Sequence, residues 1–123
     1  MKLTNQQIYQ YAENLLSVFN NSFNTYIPAK ANFYIQKNIS LLAAAAQEVE
    51  KSRLEIAKHY GTLDEANQQY IVPEDKLEDA NKELQDLLNI EQDLEIKTFS
   101  IEDLGNTEFT AGQMQAIMFM IEG

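Results

Sequence analysis

Residues 35–60 read IQKNISLLAAAAQEVEKSRLEIAKHY. Within this stretch Ile35, Ile39, Leu42, Ala46, Val49, Arg53, Ile56 and Tyr60 are separated by 4, 3, 4, 3, 4, 3 and 4 residues, the spacing that sets one face of an α-helix against a neighbour. Gly61 ends the pattern, and Pro28 suits a first helical turn because its missing N–H would have no acceptor within the helix. The spacing predicts a helix over 29–60, about 48 Å long at about 1.5 Å per residue. A compact chain of 123 residues has a radius of gyration of only about 14 Å, so this helix predicts one elongated helical domain over 1–123.

A second seam lies beyond Val72-Pro73, where Leu77, Ala80, Leu84 and Leu87 recur at 3, 4 and 3, with Leu88 widening the stripe. It predicts a helix over 74–92 that packs antiparallel on 29–60 as a long helical hairpin. Between the two, Thr62-Leu63-Asp64-Glu65 reads as a capping box that starts a short helical turn. Upstream, Leu3-Thr4-Asn5-Gln6-Gln7-Ile8 combines a Thr cap, a Gln that reaches back and a Leu/Ile staple, and Ile8, Ala12, Leu15 and Phe19 follow on one face. A helix over 5–21 is expected there. The C-terminal stretch repeats the device with Thr110, Gln113 and a Phe109/Met114 staple, which predicts a helix over 111–122. The period changes between Leu94 and Ile101, where partial alternation predicts an extended segment whose strand partner is Tyr70-Ile71-Val72. The fold class is all-α, with room for one small two-stranded ribbon.

Composition agrees with this reading. Four Gly and two Pro in 123 residues are too few for the frequent turns of a sandwich or barrel, and the absence of Cys removes disulfides, thiol nucleophiles and thiolate metal sites. No apolar run approaches the roughly 18 residues of a membrane span. The first residues lack the charged-then-apolar pattern of a secretory signal, so a cytoplasmic protein is expected. Charge is divided along the chain. Residues 1–61 hold 6 basic and 4 acidic side chains, a net of +2; residues 62–123 hold 3 basic and 15 acidic, a net of −12, and the sum is −10. Lys51, Arg53 and Lys58 would then face the acids of the second arm. Arg53 stands in the seam itself, which suggests either an ion pair with a carboxylate such as Asp79 or Glu83 across the hairpin, or a guanidinium that snorkels to water.

Residues able to carry chemistry are sparse. His59 is the sole histidine, four residues after Glu55, with no second His or Cys to complete a metal site and no GxSxG elbow to make it a catalytic base. The four glycines are too scattered for a phosphate loop. Paired carboxylates such as Glu78-Asp79 read first as a solvated helix face. No catalytic, cofactor or metal residue is therefore assigned, and a non-enzymatic protein is expected. Direct nucleic-acid binding is disfavoured, because the basic residues lie where the acidic arm absorbs them. Two surfaces remain. Met114, Ile117, Met118, Phe119 and Ile121, on a helix with little polar face, would close the core or meet a protein partner or a second copy. Glu74, Glu78, Asp79 and Glu83 form an acidic face able to imitate a phosphate track.

The opening Lys2-Leu3-Thr4-Asn5, the stretch Ile27-Pro28-Ala29-Lys30-Ala31, the helix end Ile56-Ala57-Lys58-His59-Tyr60-Gly61 and the closing Phe109-Thr110-Ala111 to Phe119-Met120-Ile121-Glu122 are similar in layout to a family of small uncharacterised helical proteins encoded by phages and prophages of Gram-positive bacteria. That family has no known active site to carry across. The resemblance implies a phage context, in the host cytoplasm or the virion. It implies a role through protein–protein contact as a virion component or assembly factor, with inhibition of a host nucleic-acid or defence enzyme as the alternative.

Overall fold

The computed structural model describes residues 1–20 and 23–122. It is mainly helical, 62% of the described residues, with two small two-stranded antiparallel sheets. The order is β1 (Lys2–Thr4), α1 (Asn5–Val18), α2 (Ala29–Tyr60), β2 (Thr62–Asp64), β3 (Gln69–Ile71), α3 (Glu74–Leu88), β4 (Glu91–Asp93) and α4 (Ala111–Ile117), with 3₁₀ turns at Ile101–Leu104 and Met118–Met120.

Helix α1 starts where its cap predicts. The Thr4 hydroxyl accepts from Gln7 N–H at 3.1 Å, and Gln7 Oε1 accepts from Thr4 N–H at 2.9 Å. The helix ends at Val18, earlier than expected, with Phe19 as its cap; the last expected position, Asn21, lies outside the described residues. Helix α2 has the expected bounds, Ala29–Tyr60, with Pro28 as its N-terminal boundary. Its buried line is Ala31, Ile35, Asn38, Leu42, Ala45 and Val49, again spaced 4, 3, 4, 3 and 4. Asn38 and Ala45 thus take the places expected for Ile39 and Ala46, which are half-buried. Asn38 is fully enclosed: its amide donates to Lys97 C=O at 2.9 Å and Met120 Sδ at 3.3 Å, and its Oδ1 accepts from Lys97 N–H at 2.8 Å. An enclosed amide with each polar atom bonded pins 94–100 onto α2.

The segment 94–101 does not form the expected ribbon with 70–72. The Lys97 contacts occupy its backbone, and Phe99 instead bridges Ile121 in parallel, donating to Met120 C=O at 3.1 Å and accepting from Glu122 N–H at 2.8 Å. The actual ribbons use other partners. β1 pairs with β4, Leu3 opposite Gln92, and β2 pairs with β3, Leu63 opposite Tyr70. Where a short helical turn was expected to start at 62, Thr62–Asp64 form β2 and residues 65–68 turn the chain into β3. The expected extension of the second arm to 92 stops at Leu88, because residues 91–93 leave the helix to pair with the first strand. Asn5 anchors this crossing: its amide donates to Leu87 C=O at 2.8 Å and its Oδ1 accepts from Gln92 Nε2 at 2.7 Å.

The core sits between α1, the first two-thirds of α2, 94–104 and α4, built on Ile8, Leu15, Ile35, Leu42, Phe99, Ile117 and Met120, each fully buried. Thr110 and Gln113 form the predicted capping box of α4. That helix ends at Ile117, short of 122, and the tighter 3₁₀ turn that follows brings Ile117 and Met120, three apart, to the same inner side. Asp103, bonded to Ser100 N–H and 3.3 Å from Lys30 Nζ, ties the other 3₁₀ turn to the start of α2.

Candidate interaction surface

Beyond Val49 the character of α2 changes. None of residues 50–60 is buried, and in α3 only Ala80 is. The second half of α2, the β2–β3 ribbon and α3 thus form an arm with little core of its own, attached to a well-packed body.

The ribbon closes on itself by local chemistry. The Asp64 carboxylate accepts from Ala66 N–H at 3.1 Å and from Asn67 Nδ2 at 2.8 Å, and Gln68 turns the chain at φ 54°. Asx turns of this kind stand in for the Asn-Gly or Asp-Gly of a commoner hairpin. Gly61 allows the close approach. A Cβ there would stand 2.6 Å from Ala57 O and 3.0 Å from Ile71 O, both backbone atoms with no freedom to yield. The ribbon can therefore lie along the last turns of α2, and an open groove of about 670 Å³ runs between them. Leu54 and Ala57 of α2 and Leu63 and Tyr70 of the ribbon supply its apolar lining, with Arg53 and Lys58 at the rim. Leu54 and Leu63 remain 44% and 43% exposed, and nearby Ile71 and Leu77 are 57% and 42% exposed. Four large aliphatic side chains are thus left in water on a small arm, Leu63 on the groove side of the ribbon and Ile71, in the next cross-strand pair, on its other face.

The electrostatics of the arm differ from the expected cross-hairpin pairing. Arg53 Nη1 lies 3.5 Å from Glu50 Oε2, and Lys58 Nζ 3.6 Å from Glu55 Oε1, both one turn back on α2. Among the described residues no ion pair joins α2 to α3. The pair expected between Arg53 and Glu83 does not form: Arg53 lines the groove, where its guanidinium stays hydrated, and no charge has to be buried to neutralise it. The Glu83 carboxylate, as an acceptor for the Tyr60 hydroxyl, followed by burial and the charges of Glu83 and Asp79, raises that hydroxyl above its ordinary range. Glu50 has a second partner, accepting from Tyr9 Oη–H at 2.7 Å. Burial first, then this bond and the Glu50 charge, push Tyr9 up to about 12. Glu74, Glu78, Asp79 and Glu83 are all exposed, as expected of an acidic face.

The C-terminal candidates separate. Ile117 is fully buried; Met114, Phe119 and Ile121 pack against the core, Phe119 stacking on Tyr11 with ring centroids 4.0 Å apart at 4°. Met118 alone of the five points outward, 59% exposed. The 3₁₀ turn makes this division, since it rotates Met118 away from the line shared by Ile117 and Met120. His59 stacks edge-on against Tyr60 at 4.7 Å, and among the described residues no three His, Cys, Asp or Glu side chains are grouped to hold a metal ion. No helix among them is long and apolar enough to cross a membrane.

Leu54 and Leu63 do not stand out in the sequence, and Tyr70 and Ile71 do so only as a strand, with the wrong partner. Leu54 and Ala57 fall outside the 4,3 seam, and the ribbon's turn, Glu65-Ala66-Asn67-Gln68, contains no glycine to announce it. The available signal is the apolar residue in each triplet flanking that polar turn, Leu63 and Tyr70, now cross-strand partners. No protein-family model, curated protein or solved structure matches the chain.

Proposed function

We propose that this is a non-enzymatic phage or prophage protein that acts through protein–protein contact, as a virion component or assembly factor, and that the arm is the surface it uses. The observation that carries the reading is the set of exposed aliphatic side chains Leu54, Leu63, Ile71 and Leu77 on an arm that buries only Ala80; the body also leaves Leu16, Tyr26, Phe33, Ile101 and Met118 exposed, but around a core of its own. In this reading α2 and α3 act as a long helical hairpin, and the body, including most of the C-terminal candidates, serves to hold it out. Such a protein needs no membrane and no direct contact with nucleic acid. Its place is the bacterial host cytoplasm or the finished particle.

A photo-crosslinking side chain at Leu63 or Ile71, in cells producing the protein, tests this. Adducts from the arm, with none from an equivalent probe at Gln10 on α1, are expected. An arm that forms no adduct with any protein, this one included, would sink the reading. A second reading draws on the exposed acids of α3, which have no ion-pair partner on α2: an inhibitor seated in the basic groove of a host nucleic-acid or defence enzyme. It requires that Glu74→Gln, Glu78→Gln and Asp79→Asn together abolish adduct formation while Leu63→Ser leaves it intact.

A further inference from the structure

The arm carries two surfaces that complement one another and that its own fold keeps apart. One is the groove, with Leu54, Ala57, Leu63 and Tyr70 as its apolar lining and Arg53 and Lys58 at its rim. The lining holds these two cations against one anion, Glu50, in a chain whose net charge is −10. The other is the first half of α3, where Leu77 stands 42% exposed and is flanked by the exposed carboxylates of Glu74 and Glu78. Leu77, with Glu74 and Glu78 as an i,i+4 ridge along one side of it, offers apolar contact and negative charge to a groove that offers an apolar lining and two bases. Within one molecule they do not meet: Arg53 and Lys58 turn to Glu50 and Glu55 on their own helix.

Resting on the reading of the arm as an interaction surface, we propose that the occupant of the groove is α3 of a second copy of this chain. Leu77 of each copy enters the groove of the other, and Glu74 and Glu78 replace the weak i,i+3 partners of Arg53 and Lys58. In the proposed dimer a two-fold axis makes this contact twice, groove of one copy to α3 of the other and the reverse, so that the pair is closed. Exposed i,i+3 ion pairs are worth only a few tenths of a kcal/mol, roughly 0.3–0.5, so exchanging them for the intermolecular pairs costs little. The apolar contact, which has no counterpart in the monomer, supplies the driving force.

The test is the mass of the purified full chain by sedimentation equilibrium, with charge reversals on each surface. The wild type is expected to dimerise. Arg53→Glu with Lys58→Glu, and separately Glu74→Lys with Glu78→Lys, should each raise the dimer dissociation constant by about tenfold or more, because like charges then face each other at both contacts. All of these side chains are exposed, so the variants keep the fold, which far-UV circular dichroism checks. An equimolar mixture of the two reversed proteins should form a heterodimer, since each reversed groove then meets a reversed helix and each native groove a native one. A wild-type monomer up to about 100 μM, well above the micromolar range in which a specific dimer of moderate affinity forms, overturns the proposal. So does a dimer indifferent to both reversals, or a mixture that stays monomeric. A monomer whose arm still crosslinks to another protein removes the second copy as occupant and leaves the interaction reading intact; the absence of arm adducts of any kind removes both.

Discussion

Asn38 and Tyr9 show how single side chains set the stability of this fold. Asn38 is wholly buried and satisfies both the N–H and the C=O of Lys97, so its removal strands two backbone groups as well as leaving a gap. Asn38→Ala should destabilise by about 2–4 kcal/mol, and the urea midpoint measures it. Asn38→Asp should be no milder. It keeps the acceptor for Lys97 N–H, yet loses the donor to Lys97 C=O and Met120 Sδ and asks the core to hold a charge. Tyr9 works through its proton. Its pKa stands raised from 10.0 to about 12, so the folded state holds the phenolic proton more tightly than the unfolded chain does. The stability this gives is fully present below about pH 10 and is lost as pH climbs from about 10 towards about 12. Glu50→Gln removes the carboxylate but not the burial, which is the largest cause, so absorbance titration should find Tyr9 lowered but still above an ordinary tyrosine.

Among the elements, the junction of α2 with the β2–β3 ribbon is the most constrained. Gly61 has an ordinary extended backbone at φ −113°, so the objection to a side chain there is space alone. Gly61→Ala drives a methyl group against two carbonyl oxygens, and the ribbon has to move off the helix end. A loss of about 1–3 kcal/mol is expected, with chemical-shift changes concentrated at Ala57, Leu63 and Ile71. The elements also show what could be read in advance. Bounds set by local chemistry are where the residues place them: Thr4 and Thr110 begin helices through reciprocal bonds with Gln7 and Gln113, and α2 runs from Pro28 to Gly61. Features set by distant partners are not visible locally. The shift of the buried line from Ile39 to Asn38 depends on Lys97, 59 residues away, and the early end of α3 depends on a strand at the other end of the chain. Arg53 was expected to reach Asp79 or Glu83 because it sits in the seam opposite an acidic arm; periodicity gives the seam, but not which way a long flexible cation leaves it. The groove escaped notice for the same reason, since its walls come from two elements and one of them is a glycine-free hairpin.

At the scale of the whole molecule, packing is uneven in a way that bears on function. Every large, fully buried side chain lies in the body, while the arm from Glu50 to Leu88 is anchored mainly at its base, where Asn5 bonds to Leu87 and Gln92 and where Tyr9 bonds to Glu50. A region with few buried apolar contacts opens at lower free energy than the core beside it. Amide hydrogen exchange on dilute protein should therefore rank the helices, with α1 and residues 31–49 of α2 slowest and residues 50–60 with α3 faster by about tenfold or more. Raising the protein concentration should slow the arm selectively. Any partner that binds only the folded arm stabilises it by mass action, and a second copy does so in proportion to its own concentration. The body has no such dependence, because its protection comes from contacts within the chain. Equal exchange in body and arm at every concentration would mean that α3 is held as firmly as the core. The exposed Leu54, Leu63, Ile71 and Leu77 would then be surface residues of a rigid arm, with no opening equilibrium for a partner to suppress.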